Sequence, residues 1–307
     1  MIRPKSVMFT TLLIAIAQLL GCDSTMAGPA DGPAFNAERS YAYLETQVNS
    51  GPRLPHYPGL EKTRDLIKST LAKNGFQIGT QPFMGTSQLL KQEFQGINIY
   101  GIYPKGATVK YLISAHYDTR PVADEDPDPA KKLQPILGAN DGASGVAVLL
   151  EMSNAIPKLK LPYGIALVFF DLEDHGLAQN DQGFCLGSEY MASHLPPELK
   201  FEGGINLDMV GDKDLGLPME GFSLQAFPDL TQKLWAVGEK LHPGNWQGET
   251  GRAITDDHMP FLKRGEPFID VIDFDYPQWH TTGDTADKCS AKSLGIVGDT
   301  MLHFIQN

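Results

Sequence analysis

Acids and histidines recur at five points where a strand or loop is expected to end: His116-Tyr117-Asp118, Asn140-Asp141-Gly142, Glu173-Asp174-His175, Asp208 and Trp279-His280. Taken singly, each has an ordinary reading, since an Asp before a helix caps it and a His after a strand is a hydrogen-bonded polar group. Gathered at one sheet edge they would repel, because neighbouring carboxylates cannot all ionise without a compensating cation. A mixed His and Asp/Glu set suits zinc, whose open position can take water or a substrate carbonyl. The chemistry to expect is therefore Lewis-acid work on a carbonyl.

Positioning such a set requires strand ends, and the periodicities supply them. Tyr41, Leu44 and Val48, then Leu60, Thr63, Leu66, Ile67 and Leu71, fall at helical spacing. Short β-rich runs follow at 76–83, 96–103 and 109–115, bounded by Gly, Pro or Lys turns. A helix pattern over 142–156 precedes the apolar run 165–170, which reads as a central parallel strand buried on both faces. Beyond it the pattern predicts a helix at 188–194, strands at 204–208 and 222–226, helices at 230–241 and 258–264, a strand at 267–272 and a helix at 291–304. This alternation predicts an α/β fold, a single-domain three-layer α/β/α sandwich with a mixed, mostly parallel central sheet. In such sheets ligands bind beyond the carboxyl ends of the strands, where the polar motifs lie.

The chain has 307 residues and a formal net charge of −12, and it carries no run of Lys or Arg. A nucleic-acid surface is thereby excluded, since phosphate binding needs a concentrated basic footprint. Residues 1–21 have the form of a secretory signal: Arg3 and Lys5, then an apolar run from Val7 through Leu20. Leu19-Leu20-Gly21-Cys22 resembles a bacterial lipobox, so the expectation is an exported lipoprotein of the periplasm or cell envelope, anchored to the membrane through lipidated Cys22. An ordinary cleaved signal with an incidental Cys is the alternative. Residues 22–35 read as a flexible tether and 36–307 as the catalytic domain, expected to be a monomer. Cys185 and Cys289 remain, either paired in an oxidising compartment or as buried thiols. The acidic stretch from Ala123 to Pro129 reads as a solvated loop, with rimming of the site as its alternative.

Five ordered motifs carry a family resemblance: His116-Tyr117-Asp118-Thr119, Gly138 to Gly145, Phe169 to Asp174, Leu207-Asp208-Met209 and Trp279-His280-Thr281. Together they resemble the zinc-dependent aminopeptidase clan (peptidase M28-like), which holds both two-zinc aminopeptidases and glutaminyl cyclases. The fold implied is that of the zinc exopeptidases, phosphorylase/hydrolase-like. In the aminopeptidase branch, His116, Asp141, Asp174, Asp208 and His280 would hold two zinc ions, with Glu173 as general base. In the cyclase branch Asp141, Asp174 and His280 would hold one, leaving His116 to support them from behind. Asp208 and Asp256 would then hydrogen-bond with Glu173, the proton shuttle, and Trp279 would contact substrate.

Asp256-Asp257-His258 and Trp279, together with Gly51-Pro52-Arg53 and Pro58-Gly59, resemble the cyclase branch. That branch implies a glutaminyl-peptide cyclotransferase acting on peptides or proteins with amino-terminal Gln, using one zinc ion to polarise the γ-carbonyl. Two departures stand out. Asp174 occupies a position where the family usually has Glu, and Gln179 lies where animal cyclases place a second Trp. Before the resemblance, Asp256 also reads as a helix cap and Trp279 as core packing. His258 reads as a structural loop anchor.

Overall fold

The computed structural model describes Met1 and residues 34–178, 180 and 182–307; the signal, lipobox and most of the tether, with Gln179, fall outside the described residues. Helices α1 (Ala37–Val48) and α2 (Pro58–Lys73) come first. Asn36 caps α1 by accepting from the Arg39 amide, and Pro58 opens α2 where a missing N–H costs nothing. Strands β1 (Gln77–Ser87), β2 (Gln92–Tyr103) and β3 (Val109–His116) lead to α3 (Ala143–Leu159), β4 (Gly164–Phe170) and α4 (Leu186–Ser193). Then come β5 (Gly203–Asp208), β6 (Leu217–Met219), α5 (Gly221–Ala226), α6 (Pro228–Leu241), β7 (Trp246–Thr250), α7 (Met259–Leu262), β8 (Phe268–Ile272) and α8 (Ala291–Phe304).

The main sheet runs β1-β2-β4-β3-β5-β8, and β6 pairs with β7 in a small separate sheet. Strands β4, β3, β5 and β8 are mutually parallel, whereas β1 and β2 are antiparallel additions at one edge. The mixed, mostly parallel sheet expected from the alternation is thus present. Every residue of β4 and β5 is buried, as a strand covered on both faces requires. One large core packs α1, α3 and α8 against one face, with Ile113, Leu167, Ile205 and Ile269 at its centre. A second cluster on the opposite face joins Val168 and Phe170 to Met191, Phe261 and Phe268. Helix α3 approaches β5 closely: a Cβ at Gly145 would lie 2.2 Å from the Leu207 carbonyl oxygen, so only glycine permits this packing.

The structure corrects two expectations. The segment read as a strand at 222–226 is helix α5, because Glu220 accepts from the amides of Phe222 and Ser223 and so nucleates a turn where alternation suggested extension. The helix expected over 258–264 is the single turn α7, and the Asp256 carboxylate does not cap it. Cys185 and Cys289 are both free and buried. Among the described residues no helix is long and apolar enough to cross a membrane.

Strand β8 is followed at once by Asp273, whose carboxylate accepts from the amides of Gly216 and Asp275. Burial outweighs those bonds and raises its pKa to about 6. A carboxyl raised on folding favours the native state fully below its unfolded value, and that contribution is lost as pH rises through about 6. We expect Asp273→Asn to flatten the stability profile between about pH 4 and 6, by about 3 kcal/mol at most. Urea midpoints of both proteins at the two pH values test this; parallel profiles would refute it.

Candidate active site

Four loops at the carboxyl ends of β3, β4, β5 and β8, with the turn that opens α3, bring the expected residues together. Asp141, Asp174 and His280 each offer a ligand atom within 4.8 Å of the others, and all three are buried. His280 Nε2 lies 3.3 Å from Asp174 Oδ1 and 3.8 Å from Asp141 Oδ2. The other Asp141 oxygen, Oδ1, is 3.2 Å from His116 Nε2, which is also 3.2 Å from Asp208 Oδ1. Asp141 therefore faces two clusters, one with Asp174 and His280 and one with His116 and Asp208.

The loops are fixed by buried carboxylates that grip backbone amides and, in two cases, side chains as well. Asp118 accepts from the amides of Glu173 and Asp174, and Asp284 accepts from those of Asn140 and Asp141 and from the Tyr276 hydroxyl. Asp171 collects Arg64, the Tyr117 hydroxyl and the amides of Ile97 and Leu172. Gly142 lets the α3 turn lie against His116, since a Cβ there would sit 2.5 Å from the ring. Leu172, Met209 and His280 hold left-handed φ of 57°, 45° and 54°, an unfavourable conformation for residues with a Cβ that concentrates at functional sites.

Sequence reasoning had not singled out Asp284, Arg53, Asp171 or Arg120 as parts of this construction. Asp284 follows His280 by four residues, and Arg53 stood within a quoted motif, so position was the available signal.

Burial and crowding set the electrostatics. Asp141 is raised to about 6 by burial and then by the charges of Asp174 and Asp208. Asp256 is likewise raised to about 6 by burial and Asp208. Glu173 is pushed well above the usual carboxylate range by burial, with Asp174, Asp257 and Asp256 adding to the effect. For Asp174, burial acts upward but is overcome by His280 and Arg120, which hold it ionised. His116 is raised despite burial, because Asp208 and hydrogen bonds to Asp118 and Asp141 favour its proton.

The donor set fits zinc. His280 Nε2 faces the carboxylates of Asp141 and Asp174, Asp174 Oδ2 is buried with no hydrogen-bond partner, and two carboxylates with one imidazole form an ordinary zinc ligand set with room for a further ligand.

Beside the trio lies a cavity of about 220 Å³, lined in part by Glu173, Asp208, Asp256, Phe274 and Trp279. The Trp279 ring stacks on His280, with centroids 3.6 Å apart and planes at 23°. Trp279 is thus at the cavity wall rather than sealed in the core. Glu173 Oε1 accepts from the Cys185 thiol at 3.4 Å. His258, expected as an anchor, lies 3.3 Å from Glu220 Oε2, behind the cavity. The acidic stretch departs in part from its solvated reading: Asp124 pairs with Arg120, and buried Asp126 accepts from the amide and hydroxyl of Thr282.

A sequence model of peptidase family M28 matches residues 98–305. The bovine glutaminyl-peptide cyclotransferase-like protein is 26% identical over 263 residues, covering 76% of this chain, which spans 66% of that relative's length. The crystal structure of Tannerella forsythia glutaminyl cyclase superposes with a TM-score of 0.84 at 36% identity, covering 90% of this chain and 99% of that one. A Zn-dependent exopeptidase from Parabacteroides distasonis superposes with a TM-score of 0.86 at 34% identity, covering 90% and 100%. The family and the Zn-dependent exopeptidase neighbour suggest zinc, and the buried His and Asp groups described above are its candidate ligands. With the family model spanning most of the folded chain and the strand-end acids and histidines gathered as described, the chain belongs to peptidase family M28.

Proposed function

We propose that this protein is a glutaminyl-peptide cyclotransferase, converting an amino-terminal Gln into pyroglutamate with release of ammonia. The observation that carries the reading is the cavity itself. It is walled in part by Trp279 and furnished with Glu173 outside the ligand trio. The cyclotransferase-like relative and the solved bacterial cyclase support it.

Asp141, Asp174 and His280 would hold one zinc ion, which when bound supplies a Lewis acid for the γ-carbonyl oxygen. Trp279 offers a flat apolar face to the Gln methylenes and so helps to fold the side chain back toward its own amine, a proximity task. As the new N–C bond forms, Glu173 accepts a proton from the α-amine. It returns that proton to the departing amide nitrogen, which leaves as ammonia when the old C–N bond breaks. Asp174, Asp257 and Asp256, with Asp256 Oδ2 buried and unpartnered, disfavour extra negative charge nearby and keep Glu173 able to hold the proton between the two transfers. The hydrogen bonds expected from Glu173 to Asp208 and Asp256 are not formed, Glu173 bonding to the Cys185 thiol and Asp208 to His116 and the Met209 amide. Cys185 keeps its own proton, since burial raises the thiol well above its usual range. The substrates on this reading are peptides or proteins with amino-terminal Gln, met in the cell envelope, where lipidation of Cys22 would tether a monomeric enzyme.

One observation favours a second reading, a two-zinc aminopeptidase: the His116-Asp141-Asp208 cluster is itself a buried ligand set sharing Asp141 with the first. Mass spectrometry of a Gln-initiated peptide separates the two. We expect an intact peptide lighter by one ammonia; release of free Gln would establish hydrolysis instead.

A further inference from the structure

Arg120 is fully buried and stands four residues beyond His116, in a segment to which neither the ligand trio nor the proton shuttle assigns a task. Its guanidinium is held in a fork: Nε and Nη2 donate to the two oxygens of Asp124, each at 2.6 Å. The remaining nitrogen, Nη1, donates to Asp174 Oδ1 at 2.7 Å, and Nη2 also reaches the Gly176 carbonyl at 3.2 Å. Phe184 lies between this group and the second ligand, 5.4 Å from the guanidinium on one side and stacked with the His280 ring on the other. Asp124 Oδ1 is 3.6 Å from His280 Nδ1, and the amide of Glu125 donates to the His280 carbonyl. One buried cation with its carboxylate thus touches the side of the trio formed by Asp174 and His280.

We infer that Arg120, clamped by Asp124, is a positioning residue of the metal centre, holding the Asp174 carboxylate in ligating register with His280. Two facts argue against a merely structural ion pair. The fork on Asp124 already balances the guanidinium charge, so the further bond to Asp174 is not needed to neutralise Arg120. That bond goes to Oδ1, the Asp174 oxygen that lies 3.3 Å from His280 Nε2, so the guanidinium sets the position of the atom that faces the other ligand of the trio. Asp118 fixes the Asp174 backbone amide and Arg120 fixes its side chain, so the ligand is immobilised from both ends. Outer partners of metal ligands act in this way, and their loss typically costs about 10–100-fold in metal affinity.

The inference rests on the metal centre and not on the choice of substrate, and its test uses zinc alone. Competition of the metal-depleted protein against a chromophoric chelator should show Arg120→Met binding zinc about 10–100-fold more weakly than the wild type. Asp124→Asn, which keeps one of the two acceptors, should shift in the same direction by less. Wild-type affinity in both variants overturns the inference. Should near-ultraviolet circular dichroism show that Arg120→Met has not folded, Arg120→Lys decides. Its single ammonium cannot reproduce the fork and the bond to Asp174 together, so it must also bind zinc more weakly, and undiminished affinity there refutes the role. A protein that proves to hydrolyse peptides leaves this result untouched.

Discussion

Glu173→Gln is expected to fold, to keep zinc affinity near that of the wild type, and to lose about 10²–10⁴-fold in turnover of a Gln-initiated peptide. The substitution preserves shape and hydrogen-bonding reach while removing the ability to take up a proton, which isolates the shuttle from the ligand trio. The surroundings favour a clean outcome. The Glu173 amide is held by Asp118 and its carboxylate by the Cys185 thiol, so the side chain has little freedom to relax. Ammonia release measured under saturating substrate reads the effect directly. Turnover within a factor of about two of the wild type would remove Glu173 from the reaction, because such a change is far below what loss of a general base produces.

Arg53→Met should destabilise the fold by about 3–5 kcal/mol, more than the loss of the Asp273 carboxylate. Arg53 has no exposed surface, and its donors all go to main-chain carbonyls: Nε to Tyr117, Nη1 to Leu137 and Nη2 to Gly138, at 2.7 to 2.8 Å. Methionine would fill much of the volume and leave the carbonyls of Tyr117 and Leu137 without their donor, while that of Gly138 keeps only the Ala143 amide. Burial lowers the Arg53 pKa to about 10, still high enough for the charge to persist at neutrality, with Asp284, Asp118 and Asp141 supporting it. Because Arg53 joins the loop after β3 to the loop that carries Asp141, we expect a further sign, weaker zinc binding in the folded fraction. A urea midpoint indistinguishable from the wild type would show that the carbonyls find other partners.

The parts of this molecule that sequence reveals are those in which residue type reports environment. An uninterrupted apolar run is buried on both faces wherever it lies, and β4 is such a run. Ligand acids and histidines announce themselves because few other roles tolerate so many of them at strand ends. The segment 222–226 was misread because Phe, Ser, Leu, Gln and Ala alternate in polarity, while the deciding feature was the Glu220 carboxylate two residues upstream. The pair β6 and β7 went unseen since three and five residues with polar members carry too little periodicity. Arg53, Asp118 and Asp284 act on peptide N–H and C=O groups, which every residue possesses, so no pattern of side-chain types marks their targets. The solvated reading of the acidic stretch holds for Glu125 and Pro127 to Pro129, which are exposed, and misses Asp126 for the same reason: its partner Thr282 lies 156 residues away.

The strand order has a consequence for biosynthesis. Strand β8 is the last to be made and takes the edge beside β5, and only after it does the polypeptide reach His280. Until translation has passed that loop, the nascent protein carries Asp141, Glu173, Asp174 and Asp208 in a half-built hollow with no imidazole from it to face them. Long-range pairings of this kind form slowly and leave unfinished edges exposed. On the proposed reading, zinc capture by Asp141, Asp174 and His280 waits until the His280 loop has been made, so metal loading would report a chain complete through the site.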